Sequence, residues 1–255
     1  MGKLAVWSEN FTVRFGAVDR SDSMTLSSTF GVFQEAAISH AENMGIGRED
    51  MARTGQVWIL SRMSALVDRR PRYGETVTVR TWPRGWEKLF AIRDYDIRDA
   101  RGDAIVRARS CWIIVEIASR RPVRPQAALE GLDMNEGMDA TGFVPERLEE
   151  RACLRKAEEL RAAYSDVDYN GHVNNVSYVR WLENSASPAD LERARQSRLD
   201  INYMSEVLPG ESVGIWAGDI ESPEGGPPPL RALAFEGKKA GDGKPAFRAE
   251  LRAWA

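Results

Sequence analysis

Ser61-Arg62-Met63 and Gly74-Glu75-Thr76-Val77 return 136 residues later, in the same order and without gaps, as Ser197-Arg198-Leu199 and Gly210-Glu211-Ser212-Val213. Each reads as an extended segment that passes through a glycine turn into a new apolar strand. Upstream, Ala17-Val18-Asp19 matches Asp166-Val167-Asp168 at an offset of 149. Each is followed by a short polar loop and then a helical pattern. Matches in the same order and the same local setting identify an internal duplication. The offsets differ by 13, so the first copy carries about that many extra residues, placed around 51–58.

The elements of the first copy follow outward from these anchors. Alternation over 11–15 predicts a strand. Phe30, Phe33, Ala37, Ile38 and Ala41 recur at helical spacing within 25–43, with Ser27 or Ser28 as candidate cap and Gly45 past the end. Segments 58–67, 76–82, 90–96 and 104–117 are rich in β-branched and aromatic residues and predict strands, with Arg101-Gly102-Asp103 as a hairpin tip. The second copy repeats the plan: a strand near 161–164, a helix over 174–183, then strands near 199–203, 212–220, 230–236 and 247–254. The fold class is α+β, one helix and an antiparallel meander, twice. Residues 126–150 are polar and aperiodic and read as a linker between a first unit, 1–125, and a second, 151–255. Residues 222–229 read as an exposed loop.

The 255 residues, 43% of them apolar, suffice for two such units. A net charge of −3 with mixed signs argues against disorder and against nucleic-acid binding. Twenty-nine arginines against six lysines are the mark of a GC-rich genome, or of carboxylate and phosphate recognition. Cys111 and Cys153 cannot form a disulfide scaffold and read as buried or inert thiols. No apolar run is long enough to span a bilayer, and the N-terminus lacks signal-peptide character, so the expectation is a cytoplasmic protein without membrane insertion.

The densest polar cluster ahead of an apolar run is Asp166-Val167-Asp168-Tyr169-Asn170-Gly171-His172-Val173-Asn174-Asn175. His172, one of two histidines in the chain, stands where a loop enters a helix. Imidazole is the side chain most easily poised for proton transfer near neutral pH. N–H groups of the following turn offer an oxyanion seat, and Asp166, Asp168 and Asn170 complete an acid–base set. The same residues also read as an Asx-rich helix entry with no chemistry. The duplication discriminates between these readings. The first copy has Asp19 but Ser21 and Ser23 where the second has Asn170 and His172, and Arg70 where the second has Glu206. The fold therefore does not demand His or Asn there. His40 lies in the apolar helix of the first copy and reads as a satisfied core or interface residue. There is no metal-ligand spacing, phosphate loop or Gly-x-Ser-x-Gly elbow.

Asp168-Tyr169-Asn170-Gly171-His172-Val173-Asn174-Asn175-Val176-Ser177-Tyr178 resembles the Asp-x-Asn-x-His-Val-Asn-Asn-x-x-Tyr signature of the acyl-acyl-carrier-protein thioesterases of bacteria and plant plastids. Weaker likeness comes from Thr81-Trp82-Pro83-Arg84-Gly85 and from Ser110-Cys111-Trp112 running on to Ser119-Arg120-Arg121-Pro122-Val123-Arg124. The Asn-Gly-His-Val piece also occurs in single-hotdog acyl-CoA thioesterases. The resemblance implies a tandem (double) hotdog, each unit an antiparallel sheet wrapped around a central helix, and hydrolysis of fatty acyl-carrier-protein thioesters in fatty acid biosynthesis. It places Asp168, Asn170, His172 and Glu206 in the site, the last within Tyr203-Met204-Ser205-Glu206. Plant members follow that Glu with Cys, but here Val207 follows.

Glu206 and His172 are expected to activate water, with Asp168 orienting, Asn170 placing water or thioester, and the backbone N–H groups of Val173 and Asn174 holding the oxyanion. A carboxylate nucleophile acting through an anhydride is the variant. Phe30, Phe33, Met63 and Leu66 of the first copy are expected to line the acyl tunnel. No cofactor and no metal are expected. The expected partner is acylated carrier protein, reached through its phosphopantetheine arm, with a homodimer left open. Arg69-Arg70-Pro71-Arg72 and the Arg120–Arg124 stretch are the candidate basic patches for an acidic carrier. An acyl-CoA thioesterase, a non-enzymatic acyl-binding hotdog protein and a hydratase remain as alternatives.

Overall fold

Apolar stripes and alternating runs sort the first copy into β1 (Trp7–Thr12), α1 (Leu26–Met44), α2 (Arg48–Arg53), β2 (Gln56–Val67), β3 (Thr76–Glu87), β4 (Phe90–Arg98), β5 (Ala104–Glu116) and β6 (Arg121–Val123). After α3 (Pro125–Leu129) the second copy supplies β7 (Arg155–Arg161), α4 (Asn175–Ser185), α5 (Pro188–Arg193), β8 (Gln196–Tyr203), β9 (Ser212–Asp219), β10 (Arg231–Lys239) and β11 (Pro245–Trp254). The computed structural model describes residues 3–221 and 228–255, so most of the loop expected at 222–229 lies outside the described residues. No helix among them is long and apolar enough to cross a membrane.

All named strands join one antiparallel sheet in the order β1-β3-β4-β5-β2-β8-β11-β10-β9-β7, with β6 on the edge of β5. The copies meet where β2 pairs with β8. Ser64 and Asp200, equivalent under the 136-residue offset, lie directly opposite each other in that pairing. The Ser64 hydroxyl donates to Asp200 Oδ1 at 2.5 Å. A pseudo-twofold axis therefore passes between them. The two long helices pack together on the concave face and share a single core that runs from Phe30, Phe33 and Ala36 through Val179 and Leu182 to Leu199 and Phe247.

α1 is capped by Thr25 rather than Ser27 or Ser28. Thr25 is the last extended residue, and its side chain accepts from the Ser28 N–H. At the other end Gly45 takes the left-handed conformation, φ 74°, that closes the helix. The first strand lies earlier than expected, and β7 ends at Arg161 rather than running to 164. The extra length of the first copy lies in its long helix and strand: α1 has 19 residues against 11 in α4 and β2 has 12 against 8 in β8, while α2 and α5, which lie between, have six each.

The linker is a strap rather than a bare connection. It crosses the convex face, where Arg109, 1% exposed, ion-pairs with the fully buried Asp94 at 2.6 Å. Arg109 also holds Asp139 at 2.7 Å and donates to Phe143 O at 2.8 Å. Farther along, Asn202 donates to Glu146 O and accepts from the Leu148 N–H.

Candidate active site

The loop ahead of α4 is built by its own backbone. Asp168 Oδ1 accepts the Asn170 N–H at 2.8 Å, the Asp168 N–H donates to His172 O at 3.1 Å, and Gly171, φ 85°, allows the reversal. The Val173 N–H donates to Val207 O at 2.8 Å and so ties the residue after His172 to the residue after Glu206. Two distant pieces of sequence, the signature loop and the segment leaving β8, are thereby held side by side. Asn170 and Glu206 are exposed, while Asp168 and His172 are half-buried. Nearby, burial pushes the Tyr178 hydroxyl up, its hydrogen bond to the Val207 backbone opposes that, and the negative charges of Glu206, Glu211 and Asp168 raise it further.

The first copy repeats this framework bond for bond. The Ser21 N–H donates to Asp19 Oδ1 at 2.8 Å, the Asp19 N–H to Ser23 O at 2.9 Å, and the Met24 N–H to Pro71 O at 2.8 Å. There, however, Arg70 donates to Asp19 Oδ2 at 2.5 Å and to Leu191 O at 3.1 Å, which closes the equivalent opening with an ion pair. Burial opposes ionisation of Asp19, but the Ser21 hydroxyl and Arg70 outweigh it and hold the carboxyl below its usual range.

Several expectations change. The N–H groups of Val173 and Asn174 cannot hold an oxyanion, because they donate to Val207 O and Asp166 O, as Met24 and Thr25 do to Pro71 O and Ala17 O in the first copy. They belong to the framework. Asp166 is also structural: it pairs with Arg180 at 2.9 Å and accepts the Ala163 N–H. The Arg69–Arg72 turn is largely an internal network, since Arg69 pairs with Glu75 and Asp99 and Arg70 with Asp19. Arg120, Arg121 and Arg124 form no ion pair among the described residues and stay at the surface. Cys111 is buried, its thiol pushed up to about 12 by burial, whereas Cys153 is exposed. His40 is a satisfied core residue, with Nε2 on Leu4 O at 2.8 Å and Nδ1 accepting from Arg93 at 3.0 Å.

Beside the start of α4 an apolar cavity lies between the helices and the sheet. Its walls are Phe30, Phe33 and Gln34 of α1, Leu60 and Met63 of β2, Tyr95, Trp112, Asn175, Val176 and Tyr203. Three of the four expected tunnel residues are among them. Leu60 and Met63 share this face because a bulge between Leu60 and Arg62 shifts the alternation by one. No bulge separates Met63 from Leu66, so Leu66 points to the opposite face, away from the cavity, and that expectation fails. The cavity holds about 20 Å³, room for one or two waters; an acyl chain must displace its lining to enter. Gln34, Asn175 and Tyr203 were missed. The 149-residue offset, extended along the helices, is the signal that reaches Gln34.

Two family models match the chain: the acyl-ACP thioesterase N-terminal domain over residues 5–128 and the acyl-ACP thioesterase C-terminal domain over residues 149–239. The chain is 29% identical over 216 residues to the chloroplastic palmitoyl-acyl carrier protein thioesterase of Gossypium hirsutum, covering 79% of this chain and 52% of that protein. It is 25% identical over 217 residues to the chloroplastic oleoyl-acyl carrier protein thioesterase 2 of Arabidopsis thaliana, covering 78% and 59%. The chain spans about half the length of the curated relatives it matches. Among solved structures, an acyl-ACP thioesterase from Bacteroides thetaiotaomicron superposes with a TM-score of 0.85 at 23% identity, covering 97% of both chains. The 12:0-ACP thioesterase from Umbellularia californica superposes with a TM-score of 0.79 at 21% identity, covering 97% of this chain and 96% of that one. These two likenesses establish the double hotdog fold.

Proposed function

Because the chain belongs to the acyl-ACP thioesterase family, we propose that it hydrolyses fatty acyl thioesters of acyl carrier protein to free fatty acid and carrier thiol, with one working site per chain. The observation that carries this reading is the pairing of the His172 and Glu206 segments through the Val173–Val207 hydrogen bond, close in sequence to Asn175, Val176 and Tyr203, which wall an apolar cavity. The first copy closes the same place with Arg70 and Asp19. His172 and Glu206 take the proton of the attacking water. Asp168 fixes the loop through the Asn170 N–H, so that the Asn170 side chain can place water or thioester. The acyl chain extends along Phe30, Phe33 and Met63. The setting is the cytoplasm.

Release of free thiol from one acyl group carried on acyl carrier protein and on CoA, across chain lengths, tests this. Turnover with a kcat/KM at least tenfold higher on the carrier protein is expected. Equal or better use of CoA would make it an acyl-CoA thioesterase. No release from either would leave an acyl-binding protein.

A further inference from the structure

Gln34 and Glu183 are equivalent positions, carried onto each other by the same offset of 149 that pairs Asp19 with Asp168. Each lies about two turns into its helix, α1 or α4. Glu183 reaches across to the start of α1, where Oε1 accepts the Leu26 N–H at 2.6 Å and Oε2 the Ser27 N–H at 3.0 Å. In the copy without chemistry, a carboxylate thus occupies the place where a helix start attracts negative oxygen. The equivalents of Leu26 and Ser27 are Asn175 and Val176. Asn174 Oδ1 takes the Val176 N–H at 2.8 Å, and the Asn175 N–H has no acceptor among the described residues.

Gln34 lines the cavity together with Asn175 and Val176, and its amide makes no hydrogen bond among the described residues. A separate observation points to the same place. Tyr203 Oη is buried, without a hydrogen-bond partner among the described residues, and Tyr203 stands on the wall of this cavity. A buried hydroxyl left unpaired is destabilising, and a ligand oxygen would satisfy it.

We propose that Gln34, from the copy that carries no chemistry, is a further active-site residue whose amide joins the Asn175 N–H and the Tyr203 hydroxyl in receiving the thioester carbonyl oxygen. The inference rests on the reading of the site as a thioester hydrolase. Water oxygen bonds to the carbonyl carbon, and the C=O π pair moves onto the oxygen, which these donors hold. The water proton passes to His172 and Glu206. As the C=O bond re-forms, the C–S bond breaks and the thiolate takes up a proton, which leaves carboxylic acid and thiol. A carboxylate at position 34 would occupy the Asn175 N–H, as Glu183 occupies those of α1, and would repel the oxyanion. A neutral amide leaves that donor open and adds another.

Two variants test it, Gln34→Met, close in shape but without a donor, and Gln34→Glu, which rebuilds the arrangement of the first copy. Gln34→Met is expected to lower kcat about 10²-fold with KM nearly unchanged. Gln34→Glu is expected to lose at least as much activity while its Tm rises by about 2–4 °C. Its activity relative to wild type should recover as pH falls below about 5, where the carboxyl protonates and regains a donor. The proposal is overturned if Gln34→Met keeps its kcat or changes KM alone, or if Gln34→Glu lowers Tm or shows no recovery in acid. A wild-type protein that releases no thiol would defeat the hydrolase reading instead, and the Tm of Gln34→Glu would still report whether the seat on α4 exists.

Discussion

Arg70 and Glu206 stand at equivalent points of one duplicated framework, and the difference between them separates a closed loop from an open one. The sequence exposes that difference, because the offset puts the two residues side by side. It does not expose which backbone N–H groups are already spent. Val173 and Asn174 look like free donors at a helix start, yet each closes a long-range bond that the silent copy also makes. His40 offers a test at this scale. Burial and then the charge of Arg93 lower its pKa to about 4 from 6.5, while the bond to Leu4 O opposes them. The folded protein therefore binds this proton more weakly than the unfolded chain, so the stability it contributes is complete above pH 6.5 and is lost as pH falls toward 4. Urea unfolding at pH 7 and pH 4.5 should show wild type losing about 2–3 kcal/mol more than His40→Gln, which keeps a donor and an acceptor. Equal losses would mean that His40 is not held neutral.

The elements that were legible are those with long periodic patterns: α1, and strands such as β5 and β11. β6, α3 and α5 were not, since a few residues give no period to read. The strap was misread for a different reason. Its polar composition resembles a solvated linker, because its main contribution is to satisfy a buried charge that lies on another element. Arg109 shares a strand face with Arg107, alternating with Ala108 and Ser110, and carries no sign of burial in the sequence, yet its guanidinium pins residues 139–143 to the convex face. Replacing Arg109 with Met leaves Asp94 charged, buried and without its cation, which should cost about 3–5 kcal/mol in urea unfolding. Adding Asp94→Asn should return a substantial part of that loss. If the single variant loses less than about 1 kcal/mol, the strap is held by something else.

At the scale of the whole molecule, the duplication gives a continuous sheet with its pseudo-twofold axis between Ser64 and Asp200. Two gapless matches of three or four residues were enough to read that duplication. The register at the join was not legible, because β-pairing partners leave no mark on either strand alone. The error at Leu66 has another root: it lies three residues from Met63 in a regular stretch of β2, so plain alternation already turns it to the other face, whereas the bulge that brings Leu60 onto the face of Met63 leaves no mark in the sequence. In the proposed division of labour the second copy works and the first only supports it. The direct measurement is free-thiol release from acyl carrier protein thioesters by His172→Ala and Glu206→Gln, compared with Ser21→Ala and Ser23→Ala at the equivalent loop of the first copy. The first pair should lose about 10²–10⁴ in kcat. The second pair should stay within about threefold of wild type, in line with substitutions away from the reacting groups. Near-full turnover in His172→Ala and Glu206→Gln, or a matching loss in the two serine variants, would contradict the claim.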